Sequence, residues 1–230
     1  QFALGTDSKP TPGGQRTSYN PPREGDIEAI RAAVDLMLKA ERPVFDTGGG
    51  VINSGPEASE NLRELAELTG FPVTSTLMGL GAFPASNGQW LGMLGMHGTY
   101  EANMAMHDCD LMICIGARFD DRITGRIDAF SPDSRKIHVA IDLASINKNI
   151  MVDLPIVGDS GLVMEEMIRI WRTRTNEPRT EAFRPWLERV DKWRTVNSLA
   201  FTNSDTVIKP QFAIQRLHQA VKDRDVYITT

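Results

Sequence analysis

The feature that most constrains this chain is a set of short, nearly unbroken apolar runs, each followed by a glycine turn or a helical pattern. Leu111-Met-Ile-Cys-Ile115 carries no charged side chain at all. A strand that is apolar on both of its faces cannot border water, so it belongs in a parallel sheet covered on both sides. Pro43 to Thr47, Phe71 to Ser75, Ile137 to Ile141 and Pro155 to Val157 read the same way, with helical periodicity between them. The expected fold is therefore α/β, a doubly wound parallel sheet with helices on both faces.

The helices are marked by spacing and by their ends. Asp26 is a plausible N-cap for a helix with Ile27, Ile30, Val34, Met37 and Leu38 at three- and four-residue spacing. Ser54-Gly-Pro-Glu57 has the form of a capping box opening a helix with Leu62, Leu65 and Leu68, which Gly70 ends. Further helices are expected at Tyr100 to His107, Leu162 to Trp171 and Gln211 to Val221, and a charged one over Glu177 to Asn197 with Trp186 and Trp193 on one face. Residues 1–25, rich in proline and glycine, read as an extended N-terminal linker, and 26–173 as the sheet domain. Residues 174–230 read as a helical C-terminal extension running into a final strand, Asp225 to Thr230, that looks like the start of another, truncated α/β unit. Gln1 in place of an initiator methionine suggests a piece of something longer.

Composition removes several classes of function. With 41% hydrophobic and 24% charged residues the chain is neither disordered nor membrane-spanning, and a net charge of −5 argues against broad attraction to nucleic acid or anionic membrane. Two cysteines, Cys109 and Cys114, form no disulfide framework and fit a reducing, cytoplasmic setting. His107, Cys109, Cys114 and His138 lack the paired spacing of a zinc site, so no metal is expected.

In a doubly wound sheet, ligands sit beyond the carboxyl ends of the strands, so the turns there carry the functional reading. Gly48-Gly49-Gly50 lets backbone approach a ligand and offers amides to a phosphate, although it is not the dinucleotide fingerprint: Asn53 stands where the last glycine would be. A purely structural tight turn is the alternative. After the apolar run come Gly116, Ala117, Arg118, Phe119, Asp120, Asp121 and Arg122; charges desolvated at a strand end need partners, either one another or a bound anion. Leu91 to Gly98 alternates glycine with flexible apolar side chains and ends in His97, which suits a flat ring laid on backbone. From the residues alone, a surface loop with core methionines serves better. Gly158-Asp-Ser-Gly161 superficially resembles a serine-protease nucleophile loop, but the fold is wrong for one and no triad accompanies Ser160, so no catalytic residue is expected.

Taken together, Arg42 to Gly50, Gly88 to Gly98, Cys109 to Gly125, Ile146-Asn-Lys-Asn149 and Ile208-Lys-Pro-Gln211 closely resemble the catalytic subunit of the acetohydroxyacid synthase (acetolactate synthase) family of thiamine-diphosphate enzymes. The resemblance implies that residues 26–173 are a central domain holding flavin adenine dinucleotide, between domains for thiamine and for its magnesium-bound diphosphate. It implies flavin contacts from Gly48, Gly49 and Gly50; from Thr76, Leu77 and Met78; from Leu94, Gly95, Met96 and His97; from Gly116, Ala117, Arg118, Asp120 and Arg122; and from Asp159 and Ser160.

The parent reaction so implied belongs to branched-chain amino-acid biosynthesis. It decarboxylates pyruvate and adds the two-carbon unit to a second 2-keto acid, in a homo-oligomer with a regulatory subunit. The thiamine-activating glutamate and the magnesium ligands would lie in the other domains, so this chain alone is expected to be inactive. Ala140, Leu143 and Asp46 depart from the family pattern, Ala140 where an acid would meet ribose, and predict weak or absent flavin binding. The competing readings are a scaffold that binds nothing and the central domain of a related pyruvate oxidase or 2-keto acid decarboxylase.

Overall fold

The structure, a computed structural model, describes residues 21–175 and 179–226. Among them lies one six-stranded sheet: β1 Pro43–Thr47, β2 Val73–Ser75, β3 Trp90–Met93, β4 Leu111–Ile115, β5 Arg135–Ala140 and β6 Leu154–Val157, in the order β3-β2-β1-β4-β5-β6. Every pairing is parallel. All residues of β1 and of β4 are buried, which requires cover on both faces, as the unbroken apolar character of β4 predicts.

Among the described residues, eight α-helices accompany the sheet: α1 Ile27–Met37, α2 Gly49–Asn53, α3 Pro56–Thr69, α4 Tyr100–Asp108, α5 Asp121–Thr124, α6 Ser160–Arg174, α7 Arg184–Arg194 and α8 Pro210–Val221. Helix α6 packs against α1 and α3, while α4 packs against α7. Asp26 caps α1 as expected, its carboxylate accepting from Ala29 N at 2.8 Å. Gly70 ends α3 in the left-handed region, φ 75°, where glycine costs least. No helix of the described residues is long and apolar enough to cross a membrane.

Several expectations are corrected. Ser54 does not cap α3, whose N-cap is Gly55; its hydroxyl instead donates to the Asp159 carboxylate and accepts from Gly161 N at 3.0 Å. The second strand starts at Val73 rather than Phe71, because Pro72 has no N–H to pair and contributes only its carbonyl, to Phe45 N. The glycine-rich segment Leu91 to Gly98 is not wholly a loop, since Trp90–Met93 adds the edge strand β3 beside β2. In 177–197 the helix is shorter than expected, a 3-10 turn at Thr180–Phe183 followed by α7, with residues 176–178 outside the described residues. The linker expected at 1–25 and the strand expected at Asp225 to Thr230 fall largely on residues 1–20 and 227–230, which also lie outside them.

Candidate functional site

The strand order reverses between β1 and β4, and at such a point the two following loops diverge and leave a crevice at the carboxyl edge of the sheet. The glycines hold these loops together. A Cβ on Gly50 would stand 2.5 Å from the Gly116 Cα, and one on Gly48 would stand 2.4 Å from the Ala117 Cα, so both must lack side chains for the loops to meet. Their amides are spent on the same contact: Gly48 N donates to Ile115 O at 2.9 Å and Gly50 N to Gly116 O at 2.8 Å. Gly48 and Gly50 are thus first of all packing glycines. Gly49 alone of the three faces away, toward Met78.

A cleft of about 710 Å³ opens above this junction. Of the residues expected to contact a ligand, Gly49, Gly50, Thr76, Leu77, Met78, Leu94, Met96, His97, Gly116, Ala117, Arg118, Asp120, Arg122, Asp159 and Ser160 all line it. Gly48 and Gly95 do not: Gly48 is sealed beneath Ala117, and the Gly95 Cα faces the Arg122 carbonyl. Asn53, Ser54, Asp142 and Ser145 also line the cleft and were not named from the sequence as ligand contacts. They lie one helical turn beyond the glycines, or just after β5, where no local pattern signals which side chains turn inward.

One part of the lining is apolar and unusually exposed, with Leu77 at 68%, Met78 at 73% and Met96 at 66%. Another is ionic. Arg118 pairs with Asp120 at 2.9 Å and Arg122 with Asp121 at 3.9 Å, and both guanidiniums are mostly exposed, at 68% and 76%. The desolvation expected of these charges is therefore absent, and the arginines reach into the cleft as solvated cations. Asp159 N-caps α6, its carboxylate accepting from Gly161 N at 3.0 Å and Leu162 N at 3.4 Å. Beneath the turn, His138 Nε2 lies 2.9 Å from Ala117 O, and burial pushes its pKa down, so that it is the neutral imidazole that donates there.

The match to known proteins decides the family: residues 30–167 fit "Thiamine pyrophosphate enzyme, central domain". This chain is a member of the thiamine pyrophosphate enzyme family. Within that family it is 44% identical, over 93% of its length, to an acetolactate synthase large subunit from Buchnera aphidicola subsp. Schizaphis graminum. It is 40% identical over 93% of its length to acetolactate synthase isozyme 3 large subunit of Escherichia coli strain K12, and 44% identical over 91% to an acetolactate synthase of Mycobacterium leprae. The chain spans only 36%, 37% and 33% of these three relatives, the part that corresponds to a central thiamine-enzyme domain.

Proposed function

We propose that this chain is the flavin-adenine-dinucleotide-binding domain of an acetolactate synthase large subunit. The observation that carries the reading is the convergence of Gly49, His97 and Arg118, from three separate turns, on one cleft at the sheet's switch point. Its volume suits a ligand of that size class. The residues present fit the group in kind: Leu77, Met78, Leu94 and Met96 offer an apolar bed for a flat ring, while Arg118 and Arg122 offer cations for a diphosphate. Ala140 supplies no carboxylate for a ribose, and Asp142 beside it is engaged with Ala144 N and the Ser145 hydroxyl. Affinity is consequently weak in the chain by itself.

Bound there, the flavin would have no net redox role in the overall reaction. The chain's residues would bind and orient it, and none would be catalytic. In the whole subunit the neighbouring domains would hold thiamine diphosphate and magnesium, and the subunit would act as a homo-oligomer with a regulatory partner to condense pyruvate with a second 2-keto acid.

Titration of the purified chain with FAD, followed by quenching of flavin fluorescence, tests the reading. A saturable change is expected, with Arg118→Ala raising Kd about tenfold through loss of a charge-assisted contact. No saturation at millimolar flavin, the outcome a scaffold would give, or an unchanged Kd in the variant, overturns it. With pyruvate and every cofactor added, no acetolactate is expected from the chain alone.

A further inference from the structure

Arg118 occupies the outer position of an alternating turn. Ala117 and Phe119 on either side are buried, each 4% exposed, whereas the Arg118 side chain is 68% exposed and lines the cleft. The carbonyls of these two flanking residues are each held by a side chain from outside the turn. His138, on β5, reaches Ala117 O at 2.9 Å, and Asn149, in the loop before β6, donates its Nδ2 to Phe119 O at 2.6 Å. The imidazole is also packed on the Phe119 ring, 5.0 Å between centroids. Cys114 adds a longer contact from its sulfur to Ala117 O, 3.6 Å. His138 Nδ1 is buried with no hydrogen-bond partner among the described residues, which leaves Nε2–H as the tautomer that satisfies the ring's one strong contact.

We propose that His138 and Asn149 are positioning residues: together they clamp the carbonyls flanking Arg118 and so hold its guanidinium toward the anionic part of a nucleotide in the cleft. This rests on the flavin reading above and deepens it. Neither residue lines the cleft. A long cation such as arginine loses considerable rotamer and backbone freedom on binding an anion, and a turn fixed in advance lowers that cost. The clamp also accounts for Asn149, which sits in a segment singled out from the sequence without any role being evident for it.

Three substitutions separate the clamp from general stability. Asn149→Asp keeps the shape and removes the donor at a solvent-exposed residue; His138→Phe keeps a ring and removes its donor; His138→Gln restores an N–H at a similar reach. In Asn149→Asp and His138→Phe, hydrogen–deuterium exchange of the segment 116–123 is expected to rise about tenfold and Kd for FAD to rise by a similar factor, with His138→Gln returning both toward the parent. The melting temperature of Asn149→Asp should stay with the parent, which a merely structural role for the loop would not predict. Parent-like exchange of 116–123 in Asn149→Asp overturns the clamp. If the parent chain binds no FAD, the functional reading falls, and the exchange measurement still decides the clamp because it needs no ligand.

Discussion

Asp46, Cys114 and His138 stand in register on the adjacent strands β1, β4 and β5, and so form one buried row across the middle of the sheet. Asp46 is 2% exposed with one carboxylate oxygen lacking a hydrogen bond, and burial, only partly countered by the Cys114 thiol, pushes its pKa up to about 7. Burial pushes His138 the other way, below its ordinary 6.5. The two residues therefore give opposite slopes. Asp46 binds its proton more tightly in the folded chain, so its contribution is full below the unfolded value of 3.8 and is lost as pH rises through about 7. His138 binds its proton less tightly when folded, so its contribution is full above 6.5 and is lost as pH falls below that value. Urea midpoints of Asp46→Asn should thus fall on acidification below 6.5 more steeply than those of the parent, whereas midpoints of His138→Gln should fall as pH rises toward 7. Identical pH profiles in parent and Asp46→Asn would show that folding does not shift the pKa of Asp46. The sequence exposes Asp46 as an anomaly, an acid in an apolar strand. It does not expose the partner, because Cys114 is distant in the chain and becomes adjacent only through the register of β1 with β4.

At the scale of elements, ends and edges separate what local pattern reveals from what it hides. Asp26 and Gly70 act where their residue types suggest, since a cap is satisfied by the backbone within a turn of it. Ser54 has the same local credentials and a different role, because Asp159 and Gly161, at the start of α6, offer its hydroxyl better partners than the α3 amides do. Ser54→Ala is accordingly expected to raise hydrogen exchange in the first turn of α6 and leave the first turn of α3 unchanged; the reverse pattern would restore the capping box. Helix α7 illustrates the same division. The seven-residue spacing of Trp186 and Trp193 announces a shared face, and the rings meet edge to face at 5.5 Å. What that face covers is set by long-range contacts, Trp186 Nε1 donating to Pro43 O at 3.0 Å and Arg194 donating to Gly88 O and Trp90 O at 2.7 and 3.0 Å. The helix thereby ties down β3, a short edge strand flanked by glycine-rich sequence. Trp186→Ala, which empties a site 2% exposed, should cost about 3–5 kcal/mol in chemical denaturation.

Across the whole molecule, burial is distributed unevenly. The core runs from α1 through the sheet to α7, and in it the rings of Phe45, Trp171 and Phe183 each meet that of Phe71. Helix α8 takes no part in it: none of its residues is buried, and Ile214 and Leu217 are 67% and 45% exposed. Apolar surface of that kind promotes association in water. Ile214→Gln with Leu217→Gln should therefore improve solubility while leaving the melting temperature and FAD affinity unchanged, as sedimentation and titration would show; a fall in melting temperature would mean that α8 contributes to the core. The sequence alone determined the α/β class and the parallel sheet, since strand burial and helix periodicity are written in the spacing of apolar residues along the chain. Only the tertiary structure decided that Gly48 and Gly50 serve loop packing, that the arginines are solvated rather than desolvated, and that His138 and Asn149 stand behind Arg118. Those facts depend on which distant segments become neighbours, and no single segment encodes the distance between two others.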